Sequence, residues 1–378
     1  MKRWPQVPFG QLVRQRRETV KPLNQDQGLP YLGLEHFNQG GGLANRGLVS
    51  DATGAKFRFI PGDTLYGRLR PYFRKTIYTT FEGYCSTEIW VLEPQDPNIL
   101  LPEYLSYIVL DQAFTDFAMQ GAQGTKMPRA SWEHVSRYLV SLPTLAEQKE
   151  IVGVLSKFDA IAENNESLIA DLRNVAVAAY VQAVSAKSEV QRLGDVVSIN
   201  PKQTRKQSTG QLTYLDITSV GDDRISWPSK IEWSDAPSRA RRLASKGSTI
   251  WSTVRPNRRA HALLTYVPDD LVVSTGFAVL EPKNIGPAEL FCATHGASFV
   301  DFLMSRADGS AYPAVRPEAI ADAPIAMLSE AESRDFEAKV WPLLNAAGEL
   351  YLECQEMVGV RNALLPQLIS GSVEPRGV

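Results

Sequence analysis

Apolar residues recur at heptad spacing between Leu145 and about Gln182: Ile151, Val154, Phe158, Ile161, then Leu168, Leu172, Val175 and Ala179, with Asn165 at the one polar seam position. Steps of three and four put them all on one stripe of a single helix. Glu147, Lys149, Glu150, Lys157, Asp159, Glu163, Glu166, Asp171 and Arg173 charge the other face, and neither proline nor glycine interrupts the run after Gly153. At about 1.5 Å per residue this helix spans roughly 50 Å, more than one small domain holds. The pattern predicts a strut with a globular half on either side and a partner helix along its stripe; an ordinary long core helix is the alternative.

Ahead of the strut the periods are shorter. Val7 to Val13 predicts a short helix, Tyr31 to His36 a strand, Gly40 to Gly42 a loop, and Phe57 to Ile60 a strand that turns at Pro61-Gly62-Asp63. Thr64 to Pro71 and Thr87 to Leu92 predict two more strands. Pro102 to about Met119 predicts a helix with Leu105, Ile108, Val109 and Phe117 inward, and Tyr138 to Pro143 closes this half.

After the strut the chain repeats itself. Tyr214-Leu215-Asp216-Ile217 answers Tyr31-Leu32-Gly33-Leu34, an offset of 183. Gly247-Ser248-Thr249-Ile250 answers Gly62-Asp63-Thr64-Leu65, and Arg255-Pro256 answers Arg70-Pro71, both at 185. Val279-Leu280-Glu281-Pro282 answers Val91-Leu92-Glu93-Pro94 at 188; Phe299, Asp301 and Phe302 answer Phe114, Asp116 and Phe117, and Pro313 answers Pro128, again at 185. A nearly constant offset in constant order is an internal duplication. The second half also ends in a heptad stripe: Phe336, Val340, Leu343, Ala347, Leu350, Cys354, Met357, Arg361, Leu364, Leu368. Ser329 and Glu332 have capping-box spacing at its start, and Pro342 is expected to kink it, with Pro366 near its end.

These patterns predict an α+β chain of two duplicated mixed α/β domains and two long helices. The domains cover 1–145 and 190–327, the helices 146–185 and 329–370. Each helix lacks a partner, so the two are expected to pack as an antiparallel coiled coil with pseudo-twofold symmetry. Asn165 and Arg361 are polar seam residues of the kind that fix register.

Composition narrows the chemistry. The chain has 378 residues, 44% apolar and 22% charged, with a net charge of −2: a soluble globular protein of two or three domains. Cys85, Cys292 and Cys354 fit neither a zinc spacing nor a disulfide framework and read as reduced thiols of a cytoplasmic protein. No apolar run follows Met1 as a signal peptide would, and none reaches membrane-spanning length. His36, His134, His261 and His295 make no metal spacing, and no phosphate loop, nucleophile elbow, dinucleotide fingerprint or amino-methyltransferase tetrapeptide is present. Asp269 with Glu281 and Lys283 fits a loose metal-nuclease pattern, but Pro282 ends the strand that would carry the last two.

A basic surface remains, present twice. In the first half it is Arg68, Arg70, Arg74 and Lys75 around Tyr66 and Tyr72, with Lys126 and Arg129 on a later loop. In the second it is Arg241, Arg242, Arg255, Arg258 and Arg259, with Arg316 on the later loop. Arginine beside aromatic residues suits nucleic acid: phosphates take the charge and guanine takes the bidentate fork. A solvated face or an internal salt bridge is the bland reading of any one of them.

Pro61-Gly62-Asp63-Thr64-Leu65-Tyr66-Gly67-Arg68-Leu69-Arg70-Pro71-Tyr72, Cys85-Ser86-Thr87-Glu88 and Leu142-Pro143-Thr144-Leu145-Ala146-Glu147-Gln148-Lys149-Glu150-Ile151-Val152 carry a family resemblance. Ser252 to Ala260 and Val273 to Phe277 carry it in the second half. Over nearly its whole length the chain resembles a specificity subunit of a type I restriction–modification system. The resemblance implies a non-catalytic chain whose two target recognition domains read the two halves of a split site in double-stranded DNA. It implies helices that space the domains and dock two methyltransferase subunits, with restriction subunits joining to make the nuclease. S-adenosylmethionine, ATP and Mg²⁺ would then sit on the partners and none on this chain. The docking and spacer residues it implies are Gln148, Ile151, Phe158, Asn165, Leu172, Leu343, Leu350, Met357 and Leu364. One departure stands out: no glutamine at the start of the second helix matches Gln148, which puts the second dock in doubt. A self-sufficient nuclease using Asp269 and Glu281, and a coiled-coil scaffold with no DNA role, are the rival readings.

Overall fold

The computed structural model describes residues 4–21, 26–51, 53–124, 126–185, 190–309 and 312–375. Two compact units divide the chain: Met1–Ile161 with Met357–Val378, and Ala162–Glu356.

In the first unit, β1 (Val13–Arg16), β2 (Thr64–Gly67), β3 (Thr76–Tyr78) and β4 (Ile89–Pro94) form an antiparallel sheet in the order β1-β4-β2-β3. A second sheet orders Thr19–Val20, Lys56–Phe59, Gly83–Cys85, Pro30–Leu32 and Gly47–Leu48, with Pro30–Leu32 parallel to Gly83–Cys85. Behind the first sheet lie α1 (Pro102–Leu110) and α2 (Gln112–Gln120), and α3 is the long helix Leu145–Val184. Where periodicity predicts one helix, Asp111 adopts an extended backbone, ψ 143°, and divides it. The helix expected at Val7 to Val13 is one turn, Phe9–Leu12, between the strand Gln6–Pro8 and β1, because Phe9 and Leu12 point into the core while the flanks pair with strands. The strand expected to reach His36 stops at Leu32, and a short 3-10 turn follows as the Gly33 N–H donates to His36 Nδ1. Phe9, Tyr66, Trp90 and Phe114 centre the core.

The second unit repeats the plan. β5 (Val197–Ile199), β6 (Thr249–Ser252), β7 (His261–Leu263) and β8 (Phe277–Pro282) are ordered β5-β8-β6-β7, matching the first sheet strand for strand. Its second sheet pairs Gln211–Leu215 in parallel with Leu271–Ser274. α4 (Pro287–His295) and α5 (Ala297–Ser305) are divided at Gly296, the counterpart of Asp111. The last helix, α6 (Glu330–Ile369), runs through Pro342 and Pro366 without a break. The capping-box spacing is realised: Ser329 N and Oγ both donate to Glu332 at 3.0 and 2.6 Å, and Thr144 does the same with Glu147 ahead of α3.

α3 and α6 run antiparallel within each unit. In the first, Asp159 pairs with Arg361, and Ile151 and Leu155 share a core with Leu365 and Leu368. In the second, Asn165 donates to Glu353 at 3.0 Å, Cys354 Sγ reaches the Ala162 carbonyl at 3.5 Å, and Tyr180 packs on Phe336. Both polar seam residues are buried and partnered. The seam itself is offset from the expected one. Ile151 and Asn165 are buried as expected, but Leu155, Ile169 and Ala176 take the alternate places, while Ile161, Leu168 and Val175 lie exposed. On α6, Leu344 and Leu365 are buried where Leu343 and Leu364 are expected. Arg361 also donates to the Gly40 carbonyl at 2.8 Å, and the Tyr107 hydroxyl bonds to Asp159 at 2.6 Å. Arg361→Met should therefore cost about 2 kcal/mol in chemical unfolding, with Asp159→Asn added to it recovering part, because one removal strands the other charge. A single variant as stable as the wild type would show that this pair does not hold the register.

Candidate nucleic-acid interface

The same arginine turn is built twice. After β2, Arg70-Pro71-Tyr72-Phe73-Arg74 makes one short 3-10 turn with Arg70 at φ 53° and Arg74 at φ 51°. After β6, Arg255-Pro256-Asn257-Arg258-Arg259 makes the same turn, with φ 50° and 53° at its ends. Four of the six non-glycine residues with positive φ among the described residues are these arginines. Left-handed backbone at a residue with a Cβ is unfavourable and is kept where surrounding bonds impose it. The imposing bonds are visible: Arg70 N–H donates to the Pro128 carbonyl and Arg255 N–H to the Pro313 carbonyl, both at 2.7 Å. So the loop after α2, and its counterpart after α5, is clamped to the turn through the β-bridges Leu69 to Arg129 and Val254 to Ala314.

The twelve basic residues read from the sequence fall into distinct groups. Arg74 donates through Nε and Nη2 to the Leu110 carbonyl at 3.0 and 2.6 Å, and Arg259 through Nη2 to the His295 carbonyl at 2.8 Å. Leu110 and His295 end α1 and α4, so each guanidinium satisfies an orphan carbonyl at a helix C-terminus. Arg242 is half-buried, bonded to Asn200 and to the Phe277 carbonyl, and Arg241 bonds the Ser238 carbonyl at 3.0 Å. Lys75 donates to the Leu34 carbonyl, and its burial lowers its pKa. These five are occupied inside their own units.

The others make fewer bonds within their own units, and Arg68, Arg70 and Arg255 among them are half-buried. Lys126 and Arg258 are exposed, and Arg316 is 80% exposed beside Asp308 at 3.7 Å. Arg255 lies 4.1 Å from the centroid of the Tyr312 ring, itself 68% exposed. The Nε of Arg70 is buried without a partner among the described residues, and Tyr72 beside it is 47% exposed. Arg68 and Arg129 share Glu88, at 3.2 and 3.1 Å. Burial alone would push the Glu88 carboxyl up, but the bonds from Arg129 and Arg68 hold it below the usual range. The sequence places Glu88 in a family motif but gives it no role, since nothing in the pattern tells a strand-end carboxylate that a loop arginine some forty positions on will fold over it.

None of the nine residues assigned to docking and spacing is exposed. Gln148, Ile151 and Asn165 are buried, and Phe158, Leu172, Leu343, Leu350, Met357 and Leu364 are half-buried along the helix seams. Gln148 spends its amide internally, on Leu101 N–H and the carbonyls of Ile99 and Pro143.

Two histidines far apart in sequence do meet. His261 Nε2 lies 3.0 Å from His295 Nδ1, with Asp222 alongside. His261 is fully buried on the face of Trp251, and burial pushes its pKa down to about 3. Asp222 is paired with Arg259 at 2.8 Å, and His261 Nδ1 lies 3.0 Å from the Arg259 carbonyl, so the two histidines suit a neutral hydrogen-bonded pair. Glu281 bonds Lys202 at 3.6 Å, and its strand ends at Pro282. The three cysteines are buried and unpaired, and among the described residues no helix is long and apolar enough to cross a membrane.

A family model for the type I restriction modification DNA specificity domain matches residues 4–174. The chain is 27% identical over 169 residues to the specificity subunit of the type I restriction enzyme EcoDI of Escherichia coli, covering 44% of this chain and 37% of that one. It is 26% identical over 207 residues to the HindI specificity subunit of Haemophilus influenzae, covering 50% of this chain and 45% of that one. The matches thus span less than half the length of these curated relatives. The S subunit of a type I restriction–modification system from M. genitalium has a similar fold, with a TM-score of 0.54 at 15% identity over 97% of this chain and 96% of that one. Over residues 4–174 the family resemblance carried by the sequence motifs is borne out.

Proposed function

We propose that this chain, whose residues 4–174 belong to the type I restriction modification DNA specificity domain family, is the sequence-reading subunit of such a complex. It reads a bipartite site in double-stranded DNA, one half with each unit, and catalyses nothing itself. The observation that carries this reading is the repeated turn, in which Arg70 and Arg255 are held in the same strained conformation by the same bond to a later loop. Strain kept at matched places in two copies supports a site there, and of the four arginines that share it, Arg74 and Arg259 are spent on helix carbonyls while Arg70 and Arg255 are not. Arginines on a fixed backbone beside exposed tyrosines can take phosphate or a base edge. The two 40-residue helices, each about 60 Å long, serve as the ruler between half-sites. Methyltransferase subunits dock outside the buried seams, and S-adenosylmethionine, ATP and Mg²⁺ belong to partner subunits.

The test is co-purification with a methyltransferase subunit of the same system, followed by sequencing of DNA retained from a random pool. A split motif with a fixed gap is expected. Mg²⁺-dependent cutting by the purified chain would revive the nuclease reading, and sequence-blind, salt-insensitive behaviour would favour a scaffold.

A further inference from the structure

We propose that Glu88 is a positioning residue that sets Arg68 and Arg129 as a paired guanine reader, and that only the first unit has one. The inference rests on the recognition reading above. Arg68 follows directly on β2 and Arg129 lies on the loop after α2. The bridge from Leu69 to Arg129, and the bond from Ala130 N–H to the Arg68 carbonyl at 2.9 Å, bring the two together. Glu88, just ahead of β4, accepts from the Nε of both: at 3.2 Å from Arg68, and at 3.1 and 3.2 Å from Arg129.

The chemistry of that sharing matters. Glu88 takes the Nε of each guanidinium and leaves the two Nη groups, which have no bond within the chain among the described residues. A pair of terminal N–H groups is the donor set that matches guanine O6 and N7. A carboxylate that locks two long side chains removes ordering entropy that binding would otherwise cost. Fold stability does not account for the trio: Arg68, Arg129 and Glu88 are 36%, 44% and 27% exposed, and ion pairs this wet add little.

The second unit keeps the frame and drops the charges. Thr253 N–H bonds the Gly276 carbonyl at 2.8 Å, as Arg68 N–H bonds the Glu88 carbonyl at 3.0 Å. Val315 N–H bonds the Thr253 carbonyl at 2.8 Å, as Ala130 bonds Arg68. Arg68, Glu88 and Arg129 are thus replaced by Thr253, Gly276 and Ala314. Two copies of one scaffold therefore present different donors, which a non-palindromic bipartite site requires.

The full chain, complexed with its methyltransferase partner, would be tested on a random duplex pool as wild type, Glu88→Gln, Glu88→Ala and the double variant Arg68→Lys/Arg129→Lys. The wild type is expected to require guanine in one half-site. Glu88→Ala should lower that preference roughly tenfold, leave the other half-site unchanged, and raise affinity for unselected duplex because a negative charge is gone. The lysine double variant should lose the preference while keeping unselected affinity, since lysine carries charge without the fork. Guanine selection unaltered by Glu88→Ala, or absent from both wild-type half-sites, would overturn the proposal. Equal decay of both half-sites would mark Glu88 as merely structural and overturn it too. A wild type that selects no split motif would instead remove the recognition reading itself.

Discussion

Gln148→Ala should cost the first unit about 3 kcal/mol in chemical unfolding, with any loss of partner binding following from that. Gln148 is fully buried. Its Oε1 accepts from Leu101 N–H at 2.8 Å, and its Nε2 donates to the carbonyls of Ile99 at 2.9 Å and Pro143 at 3.0 Å. Truncation strands a donor at the start of α1 and two acceptors, each costing about 1–3 kcal/mol unless water enters. Gln148→Glu should do no better, because it aims an oxygen at two carbonyls. The missing glutamine of the second helix has a matching explanation. Ser333 stands 185 positions after Gln148 and donates to Glu289, whose other oxygen accepts from Leu328 N–H at 3.0 Å. Glu337 accepts from Ala288 and Glu289 N–H at 3.2 and 2.8 Å, at the start of α4. Burial raises the pKa of both carboxyls, consistent with their service in the interior. The departure is a change in how the helix is stitched to its domain. A Gln148→Ala chain that unfolds like the wild type yet no longer co-purifies with a methyltransferase would return Gln148 to the docking surface.

The sequence made the duplication, the two long helices and the antiparallel pairing legible because each leaves a periodic trace. The exact seam left none. On α3, Val154 and Leu155 are both apolar, as are Leu168 and Ile169, so two stripes one residue apart fit the heptad equally well. Choosing bulk favoured Ile161, Leu168 and Val175, while the fold buries Ala176 and brings Ala162 against Cys354. Small residues win where helices approach closely, and closeness is a tertiary fact. The basic surface was legible in the same partial way. Residue type located the turns, but only the fold separates Arg74, spent on the Leu110 carbonyl, from Arg70, whose Nε has no partner among the described residues. His261 and His295 were not paired from the sequence because residues 34 positions apart carry no metal-like spacing, and the sheet-to-helix packing alone brings them together.

The two ends of each arginine turn should respond in opposite ways to the same substitution. Arg74→Ala and Arg259→Ala are expected to lower stability by about 2 kcal/mol each, since each loses a charge-assisted bond to a helix-terminal carbonyl. Both should retain DNA affinity in whatever fraction stays folded. Arg70→Ala and Arg255→Ala should leave unfolding within about 0.5 kcal/mol of the wild type, because the side chains hold few internal bonds and alanine keeps the same backbone cost. They should weaken specific DNA binding at fixed salt by roughly tenfold or more. Glycine variants separate backbone from side chain. Arg70→Gly and Arg255→Gly relieve left-handed strain and should gain up to about 1 kcal/mol while losing the same affinity. A phosphate contact would also reduce the salt slope by about one per arginine, whereas a base contact would relax one position of the bound sequence and leave the slope nearly unchanged. If Arg74→Ala abolished binding at full stability, or Arg70→Ala unfolded the chain, the assignment of the two ends would be reversed, and the DNA-facing side of each turn would be the one that now caps the helix.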